Sequence, residues 1–255
     1  MIYPFADVPD EDLARAAREG DEAARDRLLD EYKDVLFTCV VRLTGDRELA
    51  ETALVRGLVR WFRGLGGKKP LHGIRVSMYR LALDVSRDAC KGRRPDMARS
   101  PKVAAEEAEE LKACGASIGQ ADRSSQLQWV LAAVPTRSRE VLVLIDVMGL
   151  TDEQAAFILG IRPAEFPAAL ARASQEFLKT HQAYGPRLDP GAATDGSKLR
   201  EELRGMGWES APWHFVVSVR QALRDRRRQA RGRGRTLLML GVVLVVALIV
   251  LWLIL

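Results

Sequence analysis

Cysteine and histidine are scarce in this chain, and their placement removes whole classes of function. There are three cysteines, Cys39, Cys90 and Cys114, and three histidines, His72, His181 and His214, among 255 residues. The cysteines are odd in number, scattered and without C-x-x-C spacing. That argues against a disulfide framework and a cysteine-based zinc site, and fits a reducing compartment. The histidines share no ligand-like spacing, so no metal and no cofactor are expected. Catalytic signatures are also missing: there is no G-x-S-x-G, no H-E-x-x-H and no dinucleotide fingerprint. The run GLGGKK (Gly64 to Lys69) lacks the first glycine and the Ser/Thr of a phosphate loop, and no hydrophobic strand precedes it. No enzymatic activity is expected. Scarce β-branched alternation leaves an all-α fold.

Charge is present in both signs but unevenly placed. The chain carries a net +5, yet Arg220 to Arg235 alone holds eight arginines and one aspartate, leaving about −2 elsewhere. Next comes Thr236 to Leu255, TLLMLGVVLVVALIVLWLIL, without charge or proline. At ~1.5 Å per residue, about 20 helical residues span a bilayer core of ~30 Å. The sequence therefore predicts a single C-terminal transmembrane helix over 236–255. Arg226, Arg227, Arg228, Arg231, Arg233 and Arg235 would meet anionic membrane lipid at the interface. The positive-inside rule then places the N-terminal domains in the cytoplasm, as a single-pass anchor in the cytoplasmic membrane.

Before that segment, apolar residues recur at helical spacing in two groups. Leu13, Ala16, Ala17, Ala24, Leu28 and Leu29 form a stripe interrupted at Gly20-Asp21, where Asp21 can cap a second helix. That helix ends at Thr44-Gly45-Asp46, a third continues to Phe62, and a fourth runs from about Gly73 to Lys91. From Arg93 to Ser125 the prolines, glycines and an acidic stretch read as a linker. A second helical group follows, in which Thr151 and Gln154 form a capping box and Gly160 provides the turn of a helix-turn-helix. The predicted organisation is one helical domain over 10–94, a linker over 95–125 and a second domain over 126–182. A linker and basic juxtamembrane segment over 183–235 and the anchor over 236–255 complete it.

The words RLTGDRELAETALVRGLVRWF (Arg42 to Phe62), MYRLALDVSRDACKGRRP (Met78 to Pro95) and VPTRSREVLVLIDVMGLTDEQAAFILGI (Val134 to Ile161) occur in this order. Together they resemble the extracytoplasmic-function sigma factors of bacteria. The resemblance implies a sigma region 2-like domain, a helix-turn-helix region 4-like domain, and core RNA polymerase and promoter DNA as partners. An anti-sigma protein is a further implied partner. It assigns polymerase docking to Glu51, Leu54, Val55, Leu58 and Arg60. It assigns DNA contacts to Arg80, Asp84, Arg87, Lys91, Arg93, Arg94, Arg162 and Arg172. From Tyr32 to Arg94 there are 14 basic and 6 acidic residues, a net +8 that suits a phosphate backbone.

The chain departs from that family at functional positions. Leu49, Thr52, Val55, Arg56 and Gly57 stand where an acidic, amide-rich stretch is usual; Ser77 replaces a tryptophan and Asp84 an asparagine. A carboxylate is repelled by phosphates and only accepts hydrogen bonds. At the recognition helix, Pro167, Ala168, Ala169 and Ala171 occupy positions that normally offer donors. If that helix starts at Pro163, Pro167 would cost ~3 kcal/mol. Reading of the −10 element is thus favoured over the −35 element. A second reading, from another class, is a non-transcribing regulator or adaptor that binds polymerase or an anti-sigma protein without reading promoters.

Overall fold

The computed structural model describes residues 10–64, 73–91, 120–188 and 195–225. The first four helices are α1 (Asp10–Glu19), α2 (Glu22–Thr44), α3 (Arg47–Gly64) and α4 (Ile74–Cys90). Local chemistry sets their ends. The Asp21 carboxylate accepts from the amides of Ala23 and Ala24 at the start of α2, satisfying donors with no partner inside the helix. Gly45, at φ 75°, closes α2 by donating to Val41 O at 2.8 Å. One residue later the Asp46 carboxylate caps α3 through the Leu49 amide.

The second group holds α5 (Gln120–Ala133), α6 (Thr136–Leu142), α7 (Asp152–Leu159) and α8 (Phe166–Leu188). Its first helix begins at Gln120, inside the stretch read as linker. A π-helical turn, Val143–Val147, continues α6. Thr151 and Gln154 form the full capping box of α7, and Gly160 ends it at φ 68°. No strand occurs among the described residues.

Helix α2 packs against α1, α3 and α4, and also touches α5 and α6, so the two groups share one hydrophobic core. Where α3 crosses α4 the approach is close. A Cβ on Gly57 would stand 2.3 Å from Val85 Cγ1 and 3.2 Å from Leu81 Cδ1. The glycine that looked like a lost polymerase-facing residue is buried, and the helix crossing needs it.

Residues 195–225, within the stretch expected to be linker and basic juxtamembrane segment, fold back onto the rest. They comprise α9 (Gly196–Gly205), an extended stretch, and α10 over 215–225. Leu199, Leu203, Met206, Phe215 and Val219 are buried in the common core. We refer to this segment as the strap.

The expected membrane helix is corrected. Among the described residues, no helix is long and apolar enough to cross a membrane. The long helices α2, α3 and α4 interleave charged residues with apolar ones and bury only one face. Residues 236–255, and the arginines Arg226, Arg227, Arg228, Arg231, Arg233 and Arg235, lie outside the described residues. Among the described residues the fold is all-α, with no membrane-spanning helix. Placement in the cytoplasmic membrane by a single-pass anchor is likewise unsupported. Membrane lipid as a partner rested on that segment and is not carried forward.

Two outcomes follow from this packing. Gly57→Val should lower stability by about 1–3 kcal/mol in urea unfolding, and adding Val85→Ala should recover part of the loss. Burial, with the Glu140 charge as a smaller cause, pushes the Cys39 thiol up to about 12. In a Cys90→Ser/Cys114→Ser chain at pH 8 it should therefore react with a thiol reagent only as the protein unfolds.

Candidate polymerase and nucleic-acid interface

Helix α3 turns one face to the core and the other outward, which divides its five candidate docking residues. Leu54 and Leu58 are fully buried and Val55 is half-buried against the same core, so these three hold the helix in place. Glu51 and Arg60 reach the surface, and Thr52, Arg56 and Arg63 share that exposed side. Arg60 Nη1 lies 3.7 Å from Asp88 Oδ2, and Lys91 Nζ lies 2.6 Å from Asp88 Oδ1. The Lys91 hydrogen bond and charge, with Arg60, hold the Asp88 carboxyl below the usual carboxylate range. Ser77 accepts a 2.7 Å hydrogen bond from Trp61 Nε1 of α3.

The candidate DNA-binding residues of α4 meet the second helical group. Arg87 forms a forked pair with Glu140 of α6, Nε to Oε1 at 2.5 Å and Nη2 to Oε2 at 2.8 Å. The Glu140 side chain is 2% exposed, and its hydrogen bond raises the Arg87 pKa above the ordinary arginine value. Arg80 Nη2 donates to Phe157 O at 2.8 Å, near the C-terminal end of α7, where the helix dipole favours a cation. Its guanidinium lies 4.9 Å from the Phe157 ring centroid, a cation–π contact. Asp84 is exposed, 3.6 Å from Arg87. Lys91 is exposed at the helix end, while Arg93 and Arg94 lie outside the described residues.

In the helix-turn-helix, Pro163–Glu165 form a 3-10 turn and α8 begins only at Phe166. Pro167 therefore sits in the first turn, where a missing N–H costs nothing. Pro167, Ala168 and Ala171 are exposed and Ala169 is half-buried. Arg162 pairs with Glu165 in the turn. Exposed Arg172 lines a cleft of about 260 Å³ with Arg137, Ser138, Ile161 and Ala169. The outward start of α8 thus presents few donors.

Sequence reasoning missed the residues that join the units. Arg42, 3% exposed, donates to Gln128 Oε1 at 3.0 Å and to Gly207 O at 2.8 Å, and lies 3.2 Å from Glu209 Oε1. Arg139 donates to Leu43 O and Ala132 O, both at 2.6 Å, at the ends of α2 and α5. Burial lowers the pKa of both arginines below the ordinary value. Asp146 has no exposed side-chain surface and accepts from Arg200 Nε and Nη2, each at 2.9 Å, and from Arg204 Nε at 3.1 Å. The only signal in the sequence was acids set among apolar residues, Glu140 in SREVL and Asp146 in VLIDVM.

This arrangement has a counterpart among solved structures. CnrH, an extracytoplasmic-function sigma factor solved in complex with the cytosolic domain of CnrY, matches with a TM-score of 0.52. The identity is 20%, over 69% of this chain and 99% of that one. The fold is sigma-factor-like. No protein-family model matches the chain, and no curated protein matches it. At this identity the sigma-like fold is what the likeness carries.

Replacing Arg87 with alanine should strand the buried Glu140 carboxylate and cost about 3–5 kcal/mol in chemical unfolding. Combining Arg87→Met with Glu140→Met should recover most of that stability; no recovery would mean the pair is not the cause.

Proposed function

We propose that this chain is a sigma-factor-like transcription initiation protein that binds core RNA polymerase through the exposed side of α3 and promoter DNA through α4. The observation that carries the reading is the basic first unit, net +8 between Tyr32 and Arg94, on a fold like that of CnrH. Arg56, Arg60 and Arg63 line the exposed side of α3, and Lys91 stands at the end of α4. Such cations gain affinity by releasing counterions from a phosphate backbone, so binding would weaken steeply with salt. In α4, Arg80 and Arg87 carry guanidinium donors suited to base edges or phosphates, which in this arrangement are engaged by Phe157 O and Glu140, and Asp84 is an acceptor between them. Contact with the −10 element is favoured over the −35 element, because the start of α8 offers Pro167, Ala168 and Ala171 where donors are needed.

That same surface favours a second reading, a regulator or adaptor that keeps the sigma-like fold for protein contacts. The structure of CnrH holds the cytosolic domain of CnrY, so a fold of this kind accommodates a protein partner. An anti-sigma protein is the corresponding partner proposed for this chain.

The deciding experiment is co-elution of the purified protein with core RNA polymerase on a sizing column, using the wild type and a variant with the strap unseated by Phe215→Asp. Co-elution that falls at least tenfold in Arg56→Glu/Arg60→Glu, with melting unchanged, would support the transcription reading. Absence of co-elution in both proteins, each shown to be folded, would transfer the assignment to the adaptor.

A further inference from the structure

The strap touches both helical groups, and each contact has its own chemistry. Helix α9 is fixed to the second group by Arg200 and Arg204 on the buried Asp146 carboxylate, with Leu199 and Leu203 buried beneath. The extended stretch then runs along α2 and the start of α3. Glu209 N donates to Thr38 Oγ1 at 2.9 Å, and Ala211 N to Asp34 Oδ1 at 2.8 Å. Arg47 of α3 holds the Glu209 carboxylate and donates to Ser210 O at 3.2 Å. His214 Nε2 lies 2.8 Å from Glu51 Oε1. Finally α10 seats Phe215 against Phe37, with ring centroids 6.4 Å apart, buries Val219, and pairs Arg220 with Asp26 at 2.6 Å.

The manner of its attachment distinguishes this segment from ordinary core. Besides its buried Leu199, Leu203, Met206, Phe215 and Val219, it is held by polar contacts to side chains of α2, α3 and the π-turn, while Trp213 (91% exposed) and Val217 face away from the protein.

What the strap covers is also specific. Glu51, one of the two candidate docking residues at the surface of α3, is taken directly by His214. Arg80 and Arg87 of α4 are taken by the second group, which the strap ties to the first through Asp146 and Arg42.

We infer that residues 195–225 are a clamp acting in cis, which holds the two units closed and withholds the α3 and α4 surfaces until it is released. The clamp itself stands on contacts within this chain; its effect on polymerase and DNA rests on the function proposed above. Release exposes Glu51 directly, and frees Arg80 and Arg87 by letting the units separate.

The test uses the full chain in two variants with two readouts. In Phe215→Asp, amide exchange should rise at least 100-fold over the strap and at Glu51, while amides of α3 from Leu54 to Phe62 keep wild-type protection. Affinity for core polymerase should rise at least tenfold. Simultaneous loss of protection in the strap and in α3 would make the strap part of the core and overturn the clamp. Polymerase affinity left unchanged by a demonstrated opening would overturn its masking role. Opening with no polymerase binding by either protein would refute the proposed function while leaving the clamp supported.

The second variant locks the strap: Asp34→Cys with Ala211→Cys, in a Cys90→Ser/Cys114→Ser chain. Buried Cys39 stays out of exchange because its thiol is pushed up to about 12. Oxidation should lower polymerase and DNA binding at least tenfold, and reduction should restore it. Equal binding in both states would overturn the inference.

Discussion

The closed arrangement depends on a guanidinium that has almost no contact with water. Arg42 sits near the end of α2, 3% exposed, and reaches α5 through Gln128 and the strap through Gly207 and Glu209. Burial works against its charge, and the Glu209 carboxylate works for it. A buried cation of this kind costs several kcal/mol unless its partners are in place. The three segments are therefore coupled: α2 cannot keep Arg42 in this position cheaply without α5 and the strap.

A second polar layer uses the same logic. Arg139 satisfies the last carbonyls of α2 and α5, Arg87 satisfies buried Glu140, and Arg200 with Arg204 satisfies buried Asp146. Apolar packing is non-directional and would tolerate many relative placements of two small bundles. These forked, charge-assisted bonds have fixed geometry and select one placement. The basic residues that a nucleic-acid protein would spend on phosphates are here divided between those facing water, such as Arg56, Arg60 and Arg63, and those spent internally.

Much of the fold could be read from the sequence because its signals are local. Asp21, Gly45, the Thr151–Gln154 box and Gly160 mark helix ends through bonds that reach only a few residues. The sigma-like assignment of the fold survives for the same reason: its words are helices with caps. Leu54, Val55 and Leu58 show the limit, since a resemblance names positions while helical phase decides which face the core. The strap was legible only as local pattern: Phe215, Val216, Val219 and Leu223 mark one side of an amphipathic helix, but its place comes from partners such as Thr38 and Asp34 that lie far away in the chain. The membrane expectation came from hydropathy over 236–255, whereas the described helices are amphipathic and fit a common core. Pro167 resolved simply, because a 3-10 turn moves the helix start to Phe166.

The sequence separation within the strap contacts gives the protein a timetable. Thr38 and Glu209 are 171 residues apart, and the Arg220–Asp26 pair spans 194. A ribosome adding about 5–20 residues per second needs on the order of 10–40 s to cover such spans. Helices α1 to α4 are complete only once Cys90 is made, 119 residues before Glu209, so roughly 6–24 s remain before the strap follows, longer than a small helical domain needs to fold. Each newly made copy therefore passes through a period in which its basic first unit has been made and is unstrapped, before α9 and α10 emerge to cover it. The closing of the molecule is timed by its own synthesis, so young and old copies of one protein differ in state without any modification.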